Sequence, residues 1–161
     1  MIEPATARDL TEAELLQVVR DLAASRHSWQ HLVSHDPRQR HYEQLVRDEH
    51  LSVWLICWSD EQDTGFHDHD LSAGAVAVVA GRIREERLTL GGSPRTRITT
   101  AGEHFTFSAA DIHRVSHHPG EPAVTLHAYS PPLWRMGAYE ILPDGGLRRH
   151  SMSYAEELRP L

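Results

Sequence analysis

The sequence predicts a mainly β domain, a barrel or sandwich of short strands with a helical segment placed ahead of it. Three observations carry that expectation. Apolar residues recur at helical spacing only near the N-terminus. From Tyr42 onward the chain breaks into short runs rich in β-branched and aromatic residues, and turn residues separate those runs at close, regular intervals.

Taken in order, Thr11 followed by Glu14 is a capping-box pattern, and Leu15, Leu16, Val18, Val19 and Leu22 follow it on one helical stripe. A second short helix is expected from about Ser28 to Ser34, with Trp29 and Leu32 on its buried side, ended by Asp36-Pro37-Arg38-Gln39. Leu51 to Trp58 is a β-rich run too apolar for only one of its faces to be buried. Ala75 to Ala80 is a second strand, ended by Gly81, and Arg82 to Leu90 a third, ended by Gly91-Gly92. Arg97–Thr100, His104–Phe107, Ile112–Ser116, Ala123–Tyr129 and Tyr139–Leu142 complete the set, and Asp144-Gly145-Gly146 reads as a turn. The stretch Ser153–Leu158 is expected to add a last helical turn.

A length of 161 residues fits one domain: a helical segment over 1–41, a β-barrel over 42–150 and a tail over 151–161. The net charge of −7 lacks the basic footprint that phosphate backbones require, so no nucleic acid partner is expected. No apolar run approaches a membrane span and no signal pattern opens the chain, so no membrane partner is expected and the expected location is cytoplasmic. The single cysteine, Cys57, rules out an internal disulfide and reads as an inert buried thiol.

The chemistry lies in the thirteen histidines. In Gly65-Phe66-His67-Asp68-His69-Asp70, strand alternation points His67 and His69 the same way and Asp68 the other. Two imidazoles at the end of a strand can occupy neighbouring positions on one metal. Asp68 and Asp70 read as facing solvent or orienting a neighbour. Gly81 stands at the spacing where a cupin motif ends, with Gly74 where many cupins carry a glutamate ligand, and Gly102 to His113 has the spacing of the second such motif. This yields His67, His69 and His113 as three nitrogen ligands with no carboxylate. Farther on, Thr125, His127 and Tyr129 alternate onto one strand face, where a hydroxyl, an imidazole and a phenol can form a hydrogen-bonded relay. Trp54, Trp58 and Phe105 read as core. His117 and His118 read as loop residues, and His27, His31, His35 and His41 as solvated or helix-face ones.

With these pieces in place, the chain resembles the cysteine dioxygenase family of thiol dioxygenases, which are small cupin enzymes. The resemblance rests on Leu55-Ile56-Cys57-Trp58, His67-Asp68-His69, Ile112-His113-Arg114-Val115 and Leu126-His127-Ala128-Tyr129-Ser130-Pro131-Pro132-Leu133. It implies a single cupin barrel (a double-stranded β-helix, or jelly roll) with Fe(II) on His67, His69 and His113, and a relay of Thr125, His127 and Tyr129 in which threonine replaces the family's serine. The implied partners are O₂ and a small thiol carboxylate, L-cysteine first and 3-mercaptopropionate as the alternative, acted on by a monomer or homodimer. In animal members a cysteine five residues after the second ligand is cross-linked to the relay tyrosine; here that position is Gly74, which implies an uncrosslinked Tyr129. Cysteine-specific members carry a carboxylate-binding arginine where this chain has Tyr42, or Glu43 or Gln44 in a shifted register. Arg40, Arg47 or Arg135 could take that role, and Tyr42, Gln44 and Arg135 are the residues assigned to substrate binding. Two rivals remain, a metal-dependent cupin isomerase or epimerase and a non-catalytic metal- or ligand-binding sensor.

Overall fold

The computed structural model describes residues 7–154. Helix α1 (Glu12–Ala24) starts at Thr11 with the expected capping box, in which Glu14 N–H donates to the Thr11 hydroxyl and the Glu14 carboxylate accepts from Thr11 N–H. Its buried residues Leu15, Val19 and Leu22 form a single stripe. The second helix expected over 28–34 is instead two separate 3₁₀ turns, Arg26–Ser28 and Gln30–Leu32. Trp29 lies between them with its indole N–H donating 2.8 Å to the Leu22 carbonyl, a tie back to α1 that a continuous helix would break.

Eleven strands follow: β1 (His41–Arg47), β2 (Ser52–Trp58), β3 (His67–Asp68), β4 (Ala73–Ala80), β5 (Arg82–Arg87), β6 (Arg95–Thr100), β7 (His104–Phe107), β8 (His113–His117), β9 (Ala123–Ser130), β10 (Arg135–Ile141) and β11 (Leu147–Ser153). They make two antiparallel sheets, ordered β1-β2-β9-β4-β7 and β11-β10-β3-β8-β5-β6. Strand β11 was not expected from the sequence. The helical turn expected over 153–158 begins where β11 ends, and its residues beyond Tyr154 lie outside the described ones. His117 is not a loop residue: it closes β8, buried, with its ring between Asp60 and the Glu121 carbonyl. Among the described residues no helix is long and apolar enough to cross a membrane.

Two cores explain the fully apolar strands. Between the sheets lie Trp54, Ile56, Trp58, Val76, Phe105, Phe107 and Met136. On the outer face of the five-stranded sheet, α1 and Trp29 cover Val53, Leu55, Cys57, Ala75, Leu126 and Ala128. Strands β2 and β9 are therefore buried on both faces, with alternate residues feeding alternate cores. Cys57 faces the helix side, away from the interior of the barrel.

Candidate metal centre and its cavity

His67 opens β3 and is the register partner of His113, which opens β8; His69 follows one residue past β3. All three side chains are buried, and their ligand atoms lie within 4.8 Å of one another. The Nε2 atoms of His67 and His69 are 3.1 Å apart. Two nitrogens each roughly 2.1 Å from one ion and at right angles would be about 3.0 Å apart, so the spacing fits neighbouring metal ligands. The other ring nitrogens are turned outward. His67 Nδ1 meets the Gly65 carbonyl at 3.0 Å, and His113 Nδ1 meets the Glu85 carboxylate at 2.7 Å. With the proton on Nδ1 in both rings, each Nε2 presents a bare lone pair. Burial, reinforced by the neighbouring imidazoles, pushes His67 and His69 well below the usual histidine range and keeps them neutral. His69 stacks on Phe107, ring centroids 4.3 Å apart. The donor set is three imidazole nitrogens with no carboxylate, suited to a first-row divalent ion.

Asp68 orients its neighbours and does not face solvent. It is buried and accepts five hydrogen bonds, from Asp70 N–H, Gly137 N–H, the Tyr139 hydroxyl at 2.6 Å, and Arg149 Nε and Nη2. Burial alone would raise its carboxyl, but these donors outweigh it and bring it down to about 2. The two-residue strand β3, which carries His67 and leads directly into His69, is thus clamped to β10 and β11. A Cβ at Gly137 would collide with the Arg149 guanidinium that makes the clamp.

Thr125, His127 and Tyr129 share the inward face of β9. The Thr125 hydroxyl is 2.7 Å from His127 Nε2, and His127 Nδ1 is 3.2 Å from the Tyr129 hydroxyl. Burial holds His127 down to about 3, so this imidazole too is neutral. Gly74 is the register partner of Tyr129. The room a side chain would need there is filled by the Phe107 ring.

His67, His69, His113, His127 and Tyr129 line one cavity of about 30 Å³, together with Arg40, Trp54, Trp58, Leu133 and Met136. That space holds on the order of two waters. Tyr42, Gln44 and Arg135 are not brought there. Tyr42 packs against Trp54, ring centroids 5.9 Å apart, and does not line the cavity, while Gln44 and Arg135 are exposed. Arg47 donates toward the Leu133 carbonyl and sits over Tyr154. Among the described lining residues the one guanidinium is that of Arg40, buried and 5.2 Å over the Trp58 ring. Sequence reasoning gave Glu85 no role and Trp58 only a core one. A signal for Glu85 was present: alternation along β5 puts it on the inward face with Ile83, an acid where an apolar residue would be expected.

Comparison with known proteins agrees with this arrangement. The model of the family described as cysteine dioxygenase type I matches residues 1–141. Cysteine dioxygenase type 1 of Danio rerio is 28% identical over 95 residues, which span 52% of this chain and 46% of that protein. The match therefore covers less than half the length of that curated relative. Among solved structures, a double-stranded β-helix protein from Klebsiella pneumoniae aligns with a TM-score of 0.56 at 12% identity, covering 74% of this chain and 86% of its own. A cupin superfamily protein from Desulfitobacterium hafniense gives 0.54 at 10% identity, covering 64% and 87%. At such identities the solved structures establish the fold alone, a cupin barrel.

Proposed function

Since this chain belongs to the cysteine dioxygenase family, we propose that it is a thiol dioxygenase, holding Fe(II) on His67, His69 and His113 and oxidising a small thiol carboxylate to its sulfinic acid. The observation that carries the reading is the convergence, in one small cavity, of the His67, His69 and His113 imidazoles, the Tyr129 phenol and the Arg40 guanidinium. Fe(II), when bound, supplies the Lewis acidity that deprotonates a thiol and the redox capacity to activate O₂. Three uncharged nitrogens leave the dipositive charge uncompensated, so an anionic thiolate is the matched donor. Both atoms of O₂ end on sulfur: R–SH and O₂ give R–SO₂H.

The protein groups have separable tasks. Arg40, held over Trp58, would receive the substrate carboxylate as a charge-assisted partner. Tyr129 would donate to that carboxylate or to oxygen arriving on sulfur, with His127 and Thr125 fixing its angle. Leu133 and Met136 line the remaining walls and would exclude water from the reacting sulfur. L-cysteine and 3-mercaptopropionate both carry the thiol and carboxylate this arrangement would take, and L-cysteine is the leading substrate.

The deciding experiment is oxygen uptake by the Fe(II)-loaded chain, with each thiol offered separately and the sulfinate identified by mass. Uptake with either supports the reading, and the ratio of rates assigns the substrate. Turnover that needs no oxygen and tolerates Zn(II) would favour a cupin isomerase; bound metal with no turnover would favour a sensor.

A further inference from the structure

The relay does not begin at Thr125. The indole Nε1 of Trp58, wholly buried, lies 2.8 Å from the Thr125 hydroxyl oxygen. An indole nitrogen can only donate, so this bond has one possible direction. It occupies a lone pair of the hydroxyl, whose own hydrogen then has two places to go. His127 Nε2 is 2.7 Å away, and the Ile56 carbonyl is 3.5 Å away. The short bond wins, and donation from the indole strengthens it by polarising the hydroxyl. His127 must then present a bare Nε2 and carry its proton on Nδ1, which donates to the Tyr129 oxygen at 3.2 Å. Tyr129 accepts there, so its own hydrogen is not spent on His127.

We infer that Trp58 is a positioning residue of this row, its indole N–H fixing the direction of every hydrogen bond from Thr125 through His127 to Tyr129. The opposite direction would need the Thr125 oxygen to accept from both Trp58 and His127 while its hydrogen is left to the carbonyl 3.5 Å away. Tyr129 would then spend its hydrogen on His127 and offer the cavity only an acceptor. The consequence for turnover rests on the dioxygenase reading; the bond direction does not.

The test is ¹⁵N NMR of the full chain labelled at histidine, with and without Zn(II), the His127 signals being assigned by their loss in His127→Asn. The wild type is expected to show a protonated Nδ1 and a bare Nε2. In Trp58→Phe, which keeps an aromatic face beneath Arg40, the tautomer ratio should fall about fivefold, the effect of one ordinary hydrogen bond. Thr125→Val should lower it similarly, and Thr125→Ser should preserve it. A wild type protonated on Nε2 overturns the inference whether or not any variant folds, and so does an unchanged ratio in Trp58→Phe. Kinetically, Trp58→Phe should lose kcat with KM nearly unmoved. An inactive wild type with the expected tautomer would remove the dioxygenase reading alone.

Discussion

Glu85 accepts a 2.7 Å hydrogen bond from His113 Nδ1 while it is itself held at 2.9 Å by Arg87. Burial would raise this carboxyl, but the bonds to His113 and Arg87 outweigh it and keep it below the usual glutamate range. An ionised acceptor behind the ring fixes its tautomer and raises the basicity of Nε2. Removing the acceptor as Glu85→Ala should weaken metal binding roughly 10- to 100-fold, read by competition with a chelator of known affinity. Glu85→Gln, which keeps a carbonyl acceptor, should lose less. Equal affinity in all three proteins would mean that the pair plays no part in ligation.

Gly74 faces Tyr129 across β4 and β9, with the Phe107 ring filling the space its side chain would need. Phe107 is itself stacked on His69, so it cannot retreat without disturbing that imidazole. Gly74→Ala should therefore cost about 1–3 kcal/mol in urea denaturation, as overpacked cores do. Adding Phe107→Leu should recover most of that loss, because the clash is with one ring. For the same reason Gly74→Cys alone should not produce a thioether to Tyr129, checked by intact mass. Full stability of Gly74→Ala would show that the ring yields freely.

What the sequence made legible was whatever repeats at short range. The apolar run ending at Trp58 announced a strand buried on both faces, and α1 on one side with the barrel interior on the other is the reason. His67 and His69 were visible as an alternating pair, and Thr125, His127 and Tyr129 as an alternating row. Strand β11 was not visible because six of its seven residues are exposed and carry no apolar alternation. Its register on β10 and the reach of Arg149 to Asp68 hold it in place, both long-range contacts. Arg40 escaped assignment for a similar reason. It precedes β1, one residue beyond the His41–Cys57 pair, and the β1–β2 register is what brings it over Trp58. The second helix failed because Trp29 gains more by bonding back to Leu22 than by continuing a helical stripe.

Asp68 gathers five donors, two of them from the Arg149 guanidinium. Asp68→Ala would strand the Tyr139 hydroxyl, the Gly137 amide and a cation at once. A loss of about 2–4 kcal/mol in unfolding free energy is expected, with metal affinity reduced because β3 is no longer clamped. Arg149→Ala should reproduce part of both effects. If Asp68→Ala kept wild-type metal affinity despite the stability loss, the clamp would serve the fold and not the histidines.

The neutrality of His127 fixes the sign of a pH effect. Burial first, then the nearby His113 and Arg40, bring its folded value down to about 3, whereas an unfolded histidine titrates near 6.5. Above about pH 6.5 neither state holds the extra proton, and the group leaves stability unchanged. Below it the unfolded chain binds a proton that the folded one refuses, so stability falls as pH drops toward 3, by at most about 1.4 kcal/mol per pH unit. Urea midpoints for wild type and His127→Asn between about pH 7 and pH 4 isolate this contribution, since the other buried histidines are common to both. The variant should lose stability less steeply, by close to one proton. Parallel curves would mean that His127 takes up a proton in the folded protein, and the relay would then begin from an imidazolium.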